Sequence, residues 1–467
     1  MYREWNDICS ECSTGCAREC FISDSAVYGC DALYSLREDV KLFGPTKKYE
    51  NSFDKYNING RVFGAQGVSE DTEIANLFSV RTECSLGKDK KIKCSAPFIL
   101  PAIAKYNWRD YYAGAAMFGI PVVIGESAVR ADGGAEYKDE KLLKCSILDE
   151  MINEYRKYQW GYGDIILQVN GDDIHVGTAE YALKNCDITA IEIKFGQAAK
   201  GIQHFLTVES LEKAQRIKKQ GYIVMPDPFD EDIIEQHRKG IVKFMQYGRL
   251  PMFTEESLKV LIQKYKELGA EHIFFKMAGY SKEDIERIIK IAVDNKIDFI
   301  TFDGAGGGTG HSPNAMMNEW GYPTVMLEQM ICGIAKKYDK QDLPQMAIAG
   351  GIYSEDLVFK ALALGEQKIE FVGIGRSAMA AAIKGKEYYD RMLESDKEEN
   401  KELIVEKPDS RYREAEYLKS RYGNDISYGA VGVYSYLDRL NTGLKMFMLL
   451  NRKFRLDLLG KEDLIEL

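Results

Sequence analysis

Phe299-Ile-Thr-Phe-Asp303-Gly-Ala-Gly-Gly-Gly-Thr-Gly-His311 is the stretch on which the reading of this chain turns. It begins as a short apolar run and ends in a crowd of glycines. An apolar run of this length, bounded by glycine, reads as a buried strand emptying into a turn. Glycines in succession leave backbone N–H groups uncovered, so a phosphate or other anion can approach them closely. Taken alone, the run also reads as a flexible turn.

Working outward from it, similar apolar runs recur at Pro97–Ala102, Ile120–Gly125, Asp164–Val169, Ala190–Phe195, His272–Met277, Met346–Gly350 and Glu370–Gly375. Helical patterns lie between them. Ser281–Asn295 opens on a Ser-Lys-Glu-Asp cap and then places Ile285, Ile288, Ile289 and Ala292 on one helix face. Ser354–Gly365 starts with acidic residues in its first turn and stops at glycine. Strands and helices in strict alternation predict an α/β fold with a parallel sheet, and eight such units read as a (β/α)8 TIM barrel. Periodicity does not by itself close the sheet. Residues 205–270 exceed one crossover and predict an insertion over the barrel mouth. Residues 385–425 read as charged helix or loop, and Tyr428–Leu467 as an amphipathic helix followed by a short acidic helix. The organisation expected is a cysteine-rich N-terminal segment (1–60), a barrel (61–400) and a C-terminal helical extension (401–467).

Two more glycine elements come after the first. Ala349-Gly350-Gly351 ends the next strand, and Gly373-Ile-Gly375-Arg376 ends the one after. The loops after the seventh and eighth barrel strands, with a helix N-terminus, are where barrels commonly hold a phosphate. Gly350, Gly351, Gly373, Gly375 and the cationic Arg376 are therefore expected to form one phosphate-sized pocket.

Composition bounds the function. The chain has 467 residues, 45% hydrophobic and 29% charged, which is an ordinary globular balance. A formal net charge of −10 with no basic stripe argues against nucleic acid as the main partner. No apolar run nears the length of a membrane span and the N-terminus does not resemble a signal peptide, so a cytoplasmic protein is expected. Five of its ten cysteines crowd the first thirty residues. Cys9, Cys12, Cys16 and Cys20 place their last three members at four-residue steps, on one face if the segment is helical. Such a group can bind an iron–sulfur cluster or zinc, or remain as free or reversibly oxidised thiols. Cys84 and Cys94 flank a Gly-Lys turn like hairpin neighbours and read as structural, with Cys145, Cys186 and Cys332 as small apolar core residues.

Phe302-Asp-Gly-Ala-Gly-Gly-Gly-Thr-Gly-His-Ser-Pro313 resembles the glycine-rich segment of the glutamate synthase family. Ile348-Ala-Gly-Gly-Ile352 with Lys360-Ala-Leu-Ala-Leu-Gly365 resembles that family's next strand and helix. Ile191-Glu-Ile-Lys-Phe-Gly-Gln-Ala-Ala-Lys-Gly201 is similar to its Ile-Lys-Ile-Ala-Gln-Gly-Ala-Lys-Pro-Gly segment, and the closing Gly-Lys-Glu-Asp-Leu-Ile-Glu-Leu to its C-terminal end. The resemblance runs from about residue 95 to the end. It implies a non-covalent FMN at the C-terminal face of the barrel, contacted by Gln168, Lys276, Asp303, Gly304, Gly306 and Gly307 as well as by the phosphate pocket. It also implies that Lys194 and Lys276 lie near the flavin ring and substrate, with Gln197 and Lys200 close by. A lysine at the end of a buried strand is costly unless an anion pairs with it, which suits a flavin edge or a carboxylate substrate; a snorkelling lysine is the alternative.

The departures matter as much. The family's three cluster-binding cysteines after the eighth strand are replaced here by Ser377-Ala-Met-Ala-Ala-Ala-Ile-Lys, and the early Gly-Glu-Gly-Gly turn becomes Gly125-Glu126-Ser-Ala. No glutaminase domain is expected, so ammonia release from glutamine in cis is not. His311 and Glu126 are the candidate proton-handling groups on the active face. The expectation is an FMN-dependent oxidoreductase acting on a small amino, imino or 2-oxo acid. It would draw electrons from the cysteine-rich segment or an electron-donor protein, and a homo-oligomer is compatible. Two alternatives stay open: a flavin-dependent modifying or isomerising enzyme, and a non-catalytic flavin-binding subunit of a complex.

Overall fold

The structure, a computed structural model, describes residues 21–29, 49–71, 73–88, 91–103, 107–196, 205–305, 320–398 and 413–467. Eight parallel strands close into a barrel: β1 (Phe98–Ile103), β2 (Val122–Ile124), β3 (Ile165–Val169), β4 (Ala190–Lys194), β5 (His272–Ala278), β6 (Phe299–Asp303), β7 (Gln345–Ala349) and β8 (Phe371–Gly373). Each falls on one of the runs read from the sequence, and β8 pairs with β1 through Val372 and Phe98 to complete the ring. The surrounding helices include α1 (Trp108–Phe118), α2 (Ser146–Tyr158), α3 (Thr178–Asn185), α4 (Glu255–Glu267), α5 (Lys282–Asp294), α6 (Thr324–Ala335), α7 (Glu355–Leu364) and α8 (Arg376–Glu398). The cap read at Ser281 is present: its hydroxyl accepts from the N–H of Asp284, and the isoleucine stripe of α5 is buried.

Strand alternation sorts the core into two parts. Residues of one parity, such as Phe98, Leu100, Val122 and Ile300, join the large cluster between strands and helices. The other parity supplies one residue per strand to a separate interior cluster: Ile99, Val123, Ile166, Ala190, Phe274, Phe299, Ala347 and Phe371. Phe299 meets Phe274 and Phe371 edge-on, with centroids 5.6 and 5.4 Å away. A hairpin of Cys84–Leu86 and Ile92–Cys94 adds Leu86, Ile92 and Cys94 to this cluster and so closes the N-terminal end of the barrel.

The insertion is shorter than the sequence reading gave it. Its sheet is three-stranded and antiparallel, with Phe244–Tyr247 between Phe205–Val208 and Ile223–Met225, and it holds a small core of Val208, Ala214, Val224 and Phe244. The remainder of the stretch, from Glu255, is α4, an ordinary barrel helix that buries Leu258, Ile262 and Tyr265. The insertion leaves from the C-terminal end of β4. Arg249 ties it back to the barrel through Asp172 (3.4 Å), and Arg130 through Gln246 (2.8 Å).

The chain end also differs from its sequence reading. After α9 (Tyr428–Leu450) the chain makes two 3-10 turns, Leu456–Leu458 and Lys461–Asp463, and then a strand, Leu464–Glu466, antiparallel to Tyr56–Ile58. The buried Asp463 accepts from Lys453 at 2.6 Å and from the N–H of Gly460, which holds the turn and commits the last residues to pairing. Helix α9 lies against α1, α7 and α8. Gly114, Gly385 and Gly432 lie in this contact; a Cβ on Gly114 would sit 2.5 Å from that of Val433. Residues of the segment 21–29 and of α9 share the main core with the barrel. Among the described residues, no helix is long and apolar enough to cross a membrane.

Phe299→Ala removes the ring at the centre of the interior cluster. It is expected to lower unfolding stability by about 3–5 kcal/mol in a urea titration, with circular dichroism at zero denaturant unchanged.

Candidate active site

The interior parity continues upward from the apolar layer, and two residues further along each strand its chemistry divides. On β3 to β6 the next inward positions are Gln168, Glu192, Lys276 and Thr301, all buried. On β7, β8 and β1 they are Ala349, Gly373 and Pro101, and after β2 Gly125. One half of this layer is polar and the other is small. A Cβ on Gly373 would lie 2.7 Å from the Ala349 Cβ and 3.4 Å from Pro101 Cγ, so these small residues are mutual neighbours.

The polar half is dense with charge. The Lys276 ammonium, on a residue 4% exposed, donates to Asp303 Oδ1 at 2.7 Å. Lys194, 1% exposed, donates to Glu126 Oε1 at 2.5 Å, so the carboxylate after β2 reaches the end of β4. Gln168 Nε2 donates to Glu192 Oε1. Burial pushes the Glu192 carboxyl up to about 7, against the opposing pull of Lys276 and of the Gln168 amide. Gln168 Oε1 and Thr301 Oγ1 are buried without a hydrogen-bond partner. Unmet polar atoms at such a place point to a ligand that would meet them.

The turn bearing Glu126 has its own support. Ser127 adopts a left-handed conformation, φ 62°, which a residue with a Cβ resists. Its N–H donates at 3.0 Å to Asp173 Oδ2, which also takes the Asn170 N–H at 3.2 Å. Asp173 is fully buried, and desolvation pushes its carboxyl up to about 7.

The three glycine-bearing strand ends are adjacent, because Asp303 pairs with Ala349 and Ala349 with Gly373. Their glycines do different work. Gly304 and Gly350 press on Thr324: a Cβ on either would come within 2.7 Å of its hydroxyl, which donates to Gly350 O at 2.8 Å. Gly351, at φ 77°, needs a residue without a Cβ for its turn. Gly375 precedes α8, and a Cβ there would meet only Pro101, at 3.9 Å and beyond. The first N–H groups of α8 have no intrahelical acceptor and emerge here, beside Arg376, whose pKa desolvation lowers from an already very high value.

Lys194, Lys276, Glu126, Gln168, Asp303, Gly304, Gly350, Gly351, Gly373, Gly375 and Arg376 thus all belong to the C-terminal half of the barrel. Gly306, Gly307, His311, Gln197 and Lys200 lie outside the described residues, as do Cys9, Cys12, Cys16 and Cys20. Among the described residues, no group of three or more His, Cys, Asp or Glu side chains could hold a metal ion. Glu192, Thr301 and Asp173 were not singled out from the sequence. The signal for the first was available: Glu192 is two residues before Lys194 in one strand and shares its inward parity.

Residues 249–383 match the model of the conserved region in glutamate synthase. The archaeal-type glutamate synthase [NADPH] of Dehalococcoides mccartyi is 25% identical over 215 residues, 44% of this chain and 39% of that protein. The glutamate synthase large subunit-like protein YerD of Bacillus subtilis is 30% identical over 139 residues, 29% of this chain and 25% of that one. The glutamate synthase likeness is distant, and the matches span well under half the length of these relatives. Among solved structures, a double mutant of flavocytochrome b2 with sulfite bound is 13% identical with a TM-score of 0.50, covering 95% of this chain and 82% of that one. The recombinant flavin-binding domain of baker's yeast flavocytochrome b2 is 14% identical with a TM-score of 0.50, covering 89% and 77%. These two show the shared barrel.

A buried carboxyl that holds its proton in the folded state and loses it in the unfolded one makes stability fall as pH rises from its unfolded value of about 4.5 to about 7. Glu192→Gln in flavin-free protein is therefore expected to match the parent near pH 5. Near pH 8 it should be the more stable, by at most about 3 kcal/mol, in parallel denaturant titrations at the two pH values.

Proposed function

We propose that this chain is an FMN-dependent oxidoreductase of glutamate synthase-like type, acting on a small amino, imino or 2-oxo acid. The observation that carries the reading is the divided interior layer, polar on four strands and small on the other four, lying beneath adjacent glycine strand ends and a helix N-terminus. A flat heteroaromatic ring with a phosphate tail fits such a site. The small half leaves room for the ring, and Gln168 Oε1 and Thr301 Oγ1 offer it unmet polar atoms. The phosphate would lie on Gly351, Gly375, the first N–H groups of α8 and Arg376. Bound there, FMN supplies the centre that accepts or returns a hydride.

The chain's own residues do the rest. Lys276, held by Asp303, keeps a positive charge at the polar edge of the ring site. Lys194 is the cation for a substrate carboxylate. In the substrate-free protein it is neutralised by Glu126, so an incoming carboxylate competes for that ammonium and loosens the Glu126 carboxylate. Glu126 then stands beside the substrate and can take a proton from its amino or hydroxyl group, or give one back. Asp173 fixes the turn that carries it through the Ser127 N–H. The insertion after β4 flanks this mouth, where it can shield the reaction from water.

The first test is flavin affinity. Fluorescence titration is expected to show FMN bound well above riboflavin. Arg376→Ala should weaken FMN about 10- to 100-fold and leave riboflavin unchanged. Equal affinity for the two in the parent protein would remove the phosphate site. The second test is catalysis: photoreduced protein is mixed anaerobically with a panel of 2-oxo and imino acids. With the acid that reoxidises it, Lys194→Ala is expected to lower kcat/KM by about 100-fold, chiefly through KM, and Glu126→Gln to lower kcat by a similar factor.

A further inference from the structure

The end of the barrel opposite the proposed site holds two cysteines that the flavin chemistry does not use. Cys84 and Cys94 are register partners across the hairpin that closes the barrel floor. The intervening pair, Ser85 and Lys93, turns its carbonyls outward. Ser85 O accepts from Gln345 Nε2 at 3.0 Å, and Lys93 O from the Gly163 N–H at 2.6 Å. The cysteines on either side of that pair therefore occupy a position where the two strands face each other with their backbone hydrogen bonds. Such partners stand about 5.5 Å apart at Cα, which is inside the range a disulfide spans. Their Cβ atoms, about 4.5–5.5 Å apart in a paired ladder, are wider than the roughly 3.5–4.5 Å a disulfide prefers. A bond closed here draws the strands together, and strain of that kind makes a disulfide easier to reduce.

Access is one-sided. Cys94 is fully buried in the interior cluster with Leu86 and Ile92, whereas Cys84 is half-buried. Cys84 lines a cavity of about 300 Å³ on the floor of the barrel, together with Arg81, Arg455 and Lys340. The neighbouring thiol and burial push the Cys84 pKa up, so it attacks slowly near neutral pH.

We propose that Cys84 and Cys94 form a reversible dithiol–disulfide pair, closed and opened by thiol–disulfide exchange with a small-molecule disulfide reaching the floor cavity. The Cys84 thiolate attacks one sulfur of that disulfide, forming a mixed disulfide and expelling the first small thiolate. Cys94, deprotonated in turn, attacks the Cys84 sulfur and expels the second. The protein dithiol loses two electrons and two protons, and the small disulfide gains them as two thiols. The closed bond cross-links the hairpin that covers Phe274, Phe299 and Phe371, and the open pair leaves it held by packing and backbone hydrogen bonds without a covalent tie.

The test uses the full chain in oxidised and reduced glutathione mixtures of graded ratio, quenched with acid, alkylated and mapped by peptide mass. The expected result is an 84–94 cross-linked peptide that has lost two hydrogens. Its fraction should rise with the oxidised share and return to the dithiol when reduced glutathione is restored. Cys84→Ser should abolish that peptide while the mutant stays folded by circular dichroism. Should that substitution perturb the fold, the parent titration decides by itself. Failure to form the cross-link in folded protein at any ratio overturns the proposal. So does a cross-link that excess reduced glutathione leaves intact.

Discussion

A closed parallel barrel admits every second residue of each strand to its interior, and this parity constrains everything built inside it. At the floor the admitted residues are aliphatic and aromatic, and Phe274, Phe299 and Phe371 fill the space edge to face. One step higher the same parity delivers Gln168, Glu192, Lys276 and Thr301 on one side and Ala349, Gly373 and Pro101 on the other. A register slip of one residue in β4 would exchange Glu192 and Lys194 for Ile191 and Ile193, removing two of the site's charged groups and leaving Glu126 without its cation. The packing of the floor and the chemistry of the mouth are thus one constraint read at two heights.

Charges so deeply placed work against stability. Removing a lysine and a carboxylate from water costs several kcal/mol each, and their mutual attraction offsets this only with good geometry. Lys276 and Asp303 meet that condition at 2.7 Å, and Lys194 has Glu126. Glu192 relieves part of the cost differently, by holding its proton to about pH 7. The unmet oxygens of Gln168 and Thr301 lack even that relief. Apolar residues would fill the same volume with less strain, so the polar half of the layer is better explained by what it binds than by what it stabilises.

Support for the site comes from further away. Arg439 of α9 holds Glu355 of α7 at 2.7 Å, and the Tyr436 hydroxyl donates to Tyr353 O at 2.6 Å, just beyond Gly351. The loop after β7 is thereby braced from outside the barrel. Helix α8, whose N-terminus faces the proposed phosphate, is pressed against α9 through Gly385 and Gly432. The pairing of Tyr56–Ile58 with Leu464–Glu466 joins two stretches some four hundred residues apart and belongs to the same outer layer.

Much of this was decided by local sequence. The eight apolar runs, the Ser281 cap, the isoleucine face of α5, the glycine strand ends and the paired spacing of Cys84 and Cys94 depend on neighbours a few residues away, where periodicity and turn chemistry act directly. The last strand escapes a local reading for the same reason: Lys461–Asp463 has helical character locally, and only Tyr56–Ile58, distant in sequence, commits Leu464–Glu466 to a ladder. Glu192 and Asp173 are carboxylates of ordinary type until burial raises their pKa values, against the pull of their hydrogen-bond partners. The division of the interior layer into a polar and a small half exists only once β3–β6 and β7–β2 are wrapped around one axis. Desolvation and register are non-local quantities, and the closed barrel alone supplied them.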